Sequence, residues 1–228
     1  MTRTAIVTGA SRGIGRAITE RLIEDGWRIY NFDREPPSER QDLHDEWVEV
    51  DLTDPISLKD ALERILAEGP LLGVVNNAGI VGRQSVDDFS VEEFDRVIAT
   101  NTRSAIQIVQ AIVPGMRGAQ FGRIVNITSS AVKAPIEILG LSNGARAGLT
   151  GFVAGIARKT VRDNVTINAI LPGPFNTERL MANIALTAEK EGRPLGEIAA
   201  ERAADNPAGR FGEPEEFGEL CAYLCSVQ

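Results

Sequence analysis

The 228-residue chain is 43% hydrophobic and 25% charged with a net charge of -8, enough for one large core and too acidic to offer a phosphate backbone a basic face, so nucleic acid is excluded as a partner. No run approaches the roughly 18 consecutive apolar residues of a spanning helix, so no membrane role is expected. The start Met1-Thr2-Arg3-Thr4-Ala5-Ile6-Val7 enters strand-like residues without the succession of a secretory signal, and a cytoplasmic location is expected.

In chain order, the first β-branched run, residues 4–8, predicts a strand. It leads into Thr8-Gly9-Ala10-Ser11-Arg12-Gly13-Ile14-Gly15 and a helix over 15–25. Further strands are expected at 28–32, 47–50, 73–76, 123–128 and 165–171, and further helices at 55–68, 91–116, 141–163 and from 214 onward. The six strands are apolar on both faces and alternate with helices, which argues for a parallel sheet covered on both sides by right-handed crossovers. No repeat, low-complexity tract or linker divides residues 1–228, and a single domain is expected. Residues 176–209 are helical in propensity and follow the sixth strand, where they would lie over the strand tips as a substrate lid or as a plain surface hairpin. Cys221 and Cys225 stand four apart on the last helix with no accompanying histidine. They are read as small apolar side chains, and no metal is expected. His44, the one histidine, falls in a polar loop.

Chemistry concentrates at the strand tips. Glycines at a strand-to-helix turn let the backbone approach a pyrophosphate, and the N–H groups and dipole of the following helix favour its charge. Gly9, Ser11, Arg12, Gly13, Ile14 and Gly15 are the candidate phosphate loop, spaced Gly-x3-Gly-x-Gly. Asp33 ends the second strand, 18 residues after Gly15 (33 minus 15), near where a carboxylate bonds the adenosine ribose diol. That carboxylate repels a 2′-phosphate and favours NAD, whereas Arg12 and Arg34 could pair with the phosphate of NADP.

This loop spacing resembles the short-chain dehydrogenase/reductase superfamily. Three further stretches carry the same resemblance: Asn76-Asn77-Ala78-Gly79 after the fourth strand, Asp51-Leu52 after the third, and Pro172-Gly173-Pro174 with Thr177 after the sixth. The resemblance covers nearly the whole chain and is nearest the 3-oxoacyl-carrier-protein-reductase-like branch. It implies a Rossmann-type doubly wound α/β fold and a nicotinamide coenzyme, NAD or alternatively NADP. By the same resemblance Asp51 and Leu52 lie at the adenine, Asn77, Ala78 and Gly79 shape the coenzyme pocket, and Thr177 bonds the carboxamide beside Pro172 and Gly173. It further implies a small carbonyl or alcohol substrate and a homodimer or homotetramer packed through the two long helices, where Gly144, Ala147, Gly148 and Gly151 permit close approach. The family continues into a seventh strand, which is absent from the sequence as read.

The family's active site combines Asn, Ser, Tyr and Lys. Asn101 and Ser129 match the first two, but 13 residues beyond Ser129 stands Ser142 in place of Tyr, and four further on Arg146 in place of Lys. Neither Tyr30 nor Tyr223 is near in sequence. Ser142 and Arg146 share a helix face at i,i+4. Serine is a far weaker acid than tyrosine, and arginine stays protonated, so proton delivery must differ from the family's, with Lys133, Lys159 or Glu137 as substitutes. Two readings stay open: an NAD(P)-linked oxidoreductase with non-standard proton delivery, and a non-catalytic NAD(P)-binding sensor or partner subunit.

Overall fold

The computed structural model describes residues 2–37, 45–82 and 88–227, and His44 lies outside them. The elements run β1 (Arg3–Thr8), α1 (Gly13–Glu24), β2 (Trp27–Asp33), β3 (Asp45–Glu49), α2 (Pro55–Leu66), β4 (Gly73–Asn76), α3 (Val91–Ile98), α4 (Ser104–Gly118), β5 (Gly122–Ile127), α5 (Gly140–Thr160), β6 (Val165–Ile170), α6 (Glu178–Glu191), α7 (Leu195–Ala204) and α8 (Pro214–Cys225). The strands form one parallel sheet in the order β3-β2-β1-β4-β5-β6. The chain winds outward from β1 to β3, then returns to β1's other side with β4. The loops after β1 and β4 therefore diverge, and that divergence opens the crevice in which doubly wound sheets bind ligands.

Strand periodicity divides the apolar residues between two cores. Ile6, Phe32, Val74 and Ile124 point to one face, where α2 and α4 supply Leu58, Ile65, Ile108 and Ile112. Ala5, Val7, Ile29, Val75 and Val125 point to the other, beneath Ile18 and Leu22 of α1 and Phe217 of α8. Each fully buried large aliphatic contributes roughly 1.5–3 kcal/mol. Cys221 and Cys225 are free thiols packed into the second core. The strand ends sit within two residues of those expected.

One element departs from expectation. The rod read as one helix over 91–116 is interrupted between α3 and α4 by a π-helical turn, Ala99–Arg103. Such a turn inserts an extra residue, and turns of this kind cluster at functional sites. Here it carries Asn101. The segment after β6 forms the α6–α7 hairpin around its own small core of Ile184, Ala188 and Ile198. No described helix is long and apolar enough to cross a membrane.

Candidate active site

Backbone geometry builds the site from β1 outward. Gly9 and Gly13 adopt φ of +66° and +56°, a region costly for side chains with a Cβ. Gly15 is required by space: a Cβ there would run into Gly9 O and the Asn77 amide. The N-cap of α1, Arg12, gives no side-chain acceptor, so the first-turn N–H groups are left for an anion. The turn is held from β4. Asn77 Nδ2 donates to the carbonyls of Thr8 and Gly9 at 2.9 and 3.0 Å, and Thr8 Oγ1 accepts from the N–H of Asn77 and Ala78, each at 3.0 Å.

A groove of about 670 Å³ runs along the strand tips. Its walls include Gly9, Arg12, Gly13, Ile14, Gly15, Asp33, Asp51, Leu52, Asn77, Ala78, Gly79, Pro172 and Thr177, thirteen of the fifteen residues read from sequence as coenzyme-binding. Ser11 and Gly173 stand outside the lining. Ser11 instead braces the turn: its N–H reaches Asp33 Oδ2 at 3.3 Å and its hydroxyl donates to Glu35 O at 2.6 Å. Arg34 N donates to Asp33 Oδ1 at 2.8 Å, so both carboxylate oxygens are fixed at the groove's edge. Burial opposes the charge on Asp51, but hydrogen bonds from the Thr53 hydroxyl and N–H, with Arg34 nearby, outweigh it and hold its carboxyl below the usual range.

The four residues read as catalytic occupy different settings. Asn101 is buried and clamps the loop after β4, accepting from Ile80 N at 2.9 Å and donating to Ile80 O at 2.8 Å. Ser129 Oγ accepts from Ala131 N at 3.1 Å, which fixes the oxygen and leaves its proton to give. Ser142 is 3% exposed and accepts from Arg146 Nε at 3.2 Å, so the shared helix face becomes a hydrogen bond. Of the four, only Arg146 lines the groove. Its Nη1 donates to Ile127 O at 2.8 Å, while Nη2 fills the space a Cβ on residue 79 would take. Burial, with the like charge of Arg179, lowers the Arg146 pKa to about 10. Lys133 and Glu137 are exposed, and Lys159 lies in a separate groove between α4 and α5.

Sequence reasoning missed Arg179 and Arg96, both of which line the groove. Arg179 sits in the first turn of α6, two residues beyond Thr177, and donates to Gly79 O at 2.9 Å. Its place two residues past Thr177, which the sequence reading takes as coenzyme-binding, is the signal that could have found it. Thr177 caps α6 through Leu180 N at 3.3 Å, and its methyl faces Gly13 across the groove. Among the described residues, five arginines and three carboxylates line the groove, in a chain of net charge -8, a local reversal of sign that favours anionic ligands.

The family model for short chain dehydrogenase matches residues 3–186. The 3-oxoacyl-(acyl-carrier-protein) reductase of Escherichia coli K12 is 32% identical over 232 residues, covering 98% of this chain and 90% of that protein. D-beta-hydroxybutyrate dehydrogenase of Cupriavidus necator is 30% identical over 234 residues, covering 98% and 91%. The crystal structure of L-sorbose reductase from Gluconobacter frateurii, complexed with NADPH and L-sorbose, superposes with a TM-score of 0.92 at 25% identity, covering 99% of this chain and 90% of that one. By sequence and by fold, the chain belongs to the short chain dehydrogenase family of oxidoreductases.

Proposed function

We propose that the protein is an NAD(P)-dependent oxidoreductase interconverting a carbonyl and an alcohol, with proton delivery that does not use the family's tyrosine and lysine. The observation that carries this reading is the continuous groove from the Gly9–Gly15 turn, past Asp33 and Asp51, to Arg146 and Thr177. The glycine turn fits a diphosphate, because the residues that would fill it are excluded by backbone sign at Gly9 and Gly13 and by space at Gly15. Bound there, the coenzyme supplies or accepts the hydride.

The chain's own residues do the rest. Ser129 offers its hydroxyl proton to the substrate oxygen. Arg146, protonated at neutral pH, holds positive charge in the groove beside the reacting groups. In the oxidising direction the hydroxyl proton leaves to water in the open groove, and in the reducing direction water returns it. Without a tuned general acid, turnover is expected to run roughly 10²–10⁴-fold below that of a member with an intact Tyr and Lys. NAD is favoured over NADP because Asp33 lines the groove, where its carboxylate would repel a 2′-phosphate, and Arg12 is paired with Glu35 at 3.5 Å. A second reading, a coenzyme-binding module without turnover, draws support from Ser142, whose hydroxyl is buried against Arg146.

A homo-oligomer is proposed through α4 and α5. Gly144, Gly148 and Gly151 stand exposed on α5 with open space where a Cβ would go. An apolar groove of about 540 Å³ beside them is lined by Val109, Val113, Phe152 and Ile156.

Thermal unfolding with NADH or NADPH tests the reading first. A coenzyme at 100 times its dissociation constant adds about 2.7 kcal/mol and raises Tm, and Gly15→Ala should abolish that rise while costing about 1–3 kcal/mol of stability. No rise with either coenzyme would overturn both readings. Nicotinamide absorbance against carbonyl and alcohol panels then separates them: turnover only in Ser142→Tyr/Arg146→Lys favours the binding module.

A further inference from the structure

We infer that the substrate is an anion, a hydroxy or oxo acid whose carboxylate is received by Arg146. The inference rests on the oxidoreductase reading above and assigns its substrate class. Arg146 carries its charge into the groove with only neutral acceptors beside it: Nε donates to the Ser142 hydroxyl, Nη1 to the Ile127 carbonyl, and Nη2 makes no hydrogen bond. No carboxylate of the described residues reaches it, and the charge that it does feel, that of Arg179, has the same sign. A partly buried guanidinium without a counter-ion is costly, and the cost is recovered when an anion arrives.

The guanidinium enters the groove from the α5 side. Arg146 Nη2 lies over Gly79, and Arg179 donates to the Gly79 carbonyl, so two guanidinium groups converge on one residue of the groove wall. Arg146 belongs to α5, whereas the diphosphate-fitting turn at Gly9–Gly15 is built by β1 and α1. A planar fork such as Arg146 suits a carboxylate better than a point charge would, which gives a chemical sense to arginine at this position.

The test uses the whole protein with saturating NADH and a panel of short 2- and 3-hydroxy acids, each paired with its uncharged amide, binding being read by calorimetry. The acids are expected to bind at least about tenfold more tightly than their amides, equivalent to about 1.4 kcal/mol. Arg146→Gln, with NADH kept saturating, should bring the acid-to-amide ratio to within about threefold of one, and Arg146→Lys should restore part of it. Equal binding of acid and amide by the unaltered protein overturns the inference without needing any variant to fold. An Arg146→Gln protein that keeps the preference also overturns it. If the acid preference is present but NADH does not bind, the anion site stands and the oxidoreductase reading fails.

Discussion

Arg146 reaches the groove from α5 carrying a charge that its burial and the nearby Arg179 both oppose, which pulls its pKa down to about 10. Because the folded value lies below the unfolded one, the fold bears the cost of the charge throughout the neutral range, and stability is regained as pH rises above about 10. Ligand binding has the opposite sign. An anion needs the protonated form, so acid affinity measured by titration calorimetry is expected to stay flat between about pH 7 and 9 and to decline above about pH 10, whereas the amides should show no such decline. An acid affinity already falling below pH 8 would place another group in charge of the anion. Counting from Ser129 along the sequence located both Ser142 and Arg146, because flanking strands pinned the register. It did not reveal that Ser142 is sealed behind Arg146, since burial depends on how α5 packs and not on spacing.

Between α3 and α4 the π-turn performs a task a regular helix would not. It carries Asn101, whose amide grips both polar backbone atoms of Ile80. Asn101→Ala leaves that N–H and C=O without their partner, at about 1–3 kcal/mol for each group that stays dry. The expected result is a lower Tm together with weaker coenzyme binding, because the clamped residue adjoins Gly79 in the groove. An unchanged dissociation constant by fluorescence titration would confine Asn101 to stability. Periodicity read this region as one uninterrupted helix, and the reason is physical: one extra residue in the ladder scarcely changes an apolar pattern over 91–116. The strands were more legible, since runs apolar on both faces such as Ile6 to Thr8 and Ile124 to Ile127 have few alternatives to a buried parallel sheet. The α6–α7 hairpin was placed by propensity alone, and only contact with the groove singles out its first turn.

At the scale of the whole molecule, the exposed face of α5 is the surface proposed above for assembly. Phe152 is 39% exposed beside the glycine stripe and lines the α4–α5 groove, and Phe152→Arg is expected to shift the mass seen in sedimentation from oligomer to monomer, with the circular dichroism spectrum unchanged. A monomer in the unaltered protein would remove this face from consideration. The sheet order carries a further consequence for biogenesis. β1 lies at the centre and must wait for β4, whose residues 73–75 pair with residues 5–7, and the groove closes only once Thr177 and Arg179 arrive. The glycine turn is thus synthesised early but acquires its opposite wall very late, after long-range loop closures that are slow to form. Dinucleotide capture by a nascent or refolding chain would therefore mark near-completion of tertiary structure, and the coenzyme would act as a kinetic checkpoint that partly folded intermediates fail to pass.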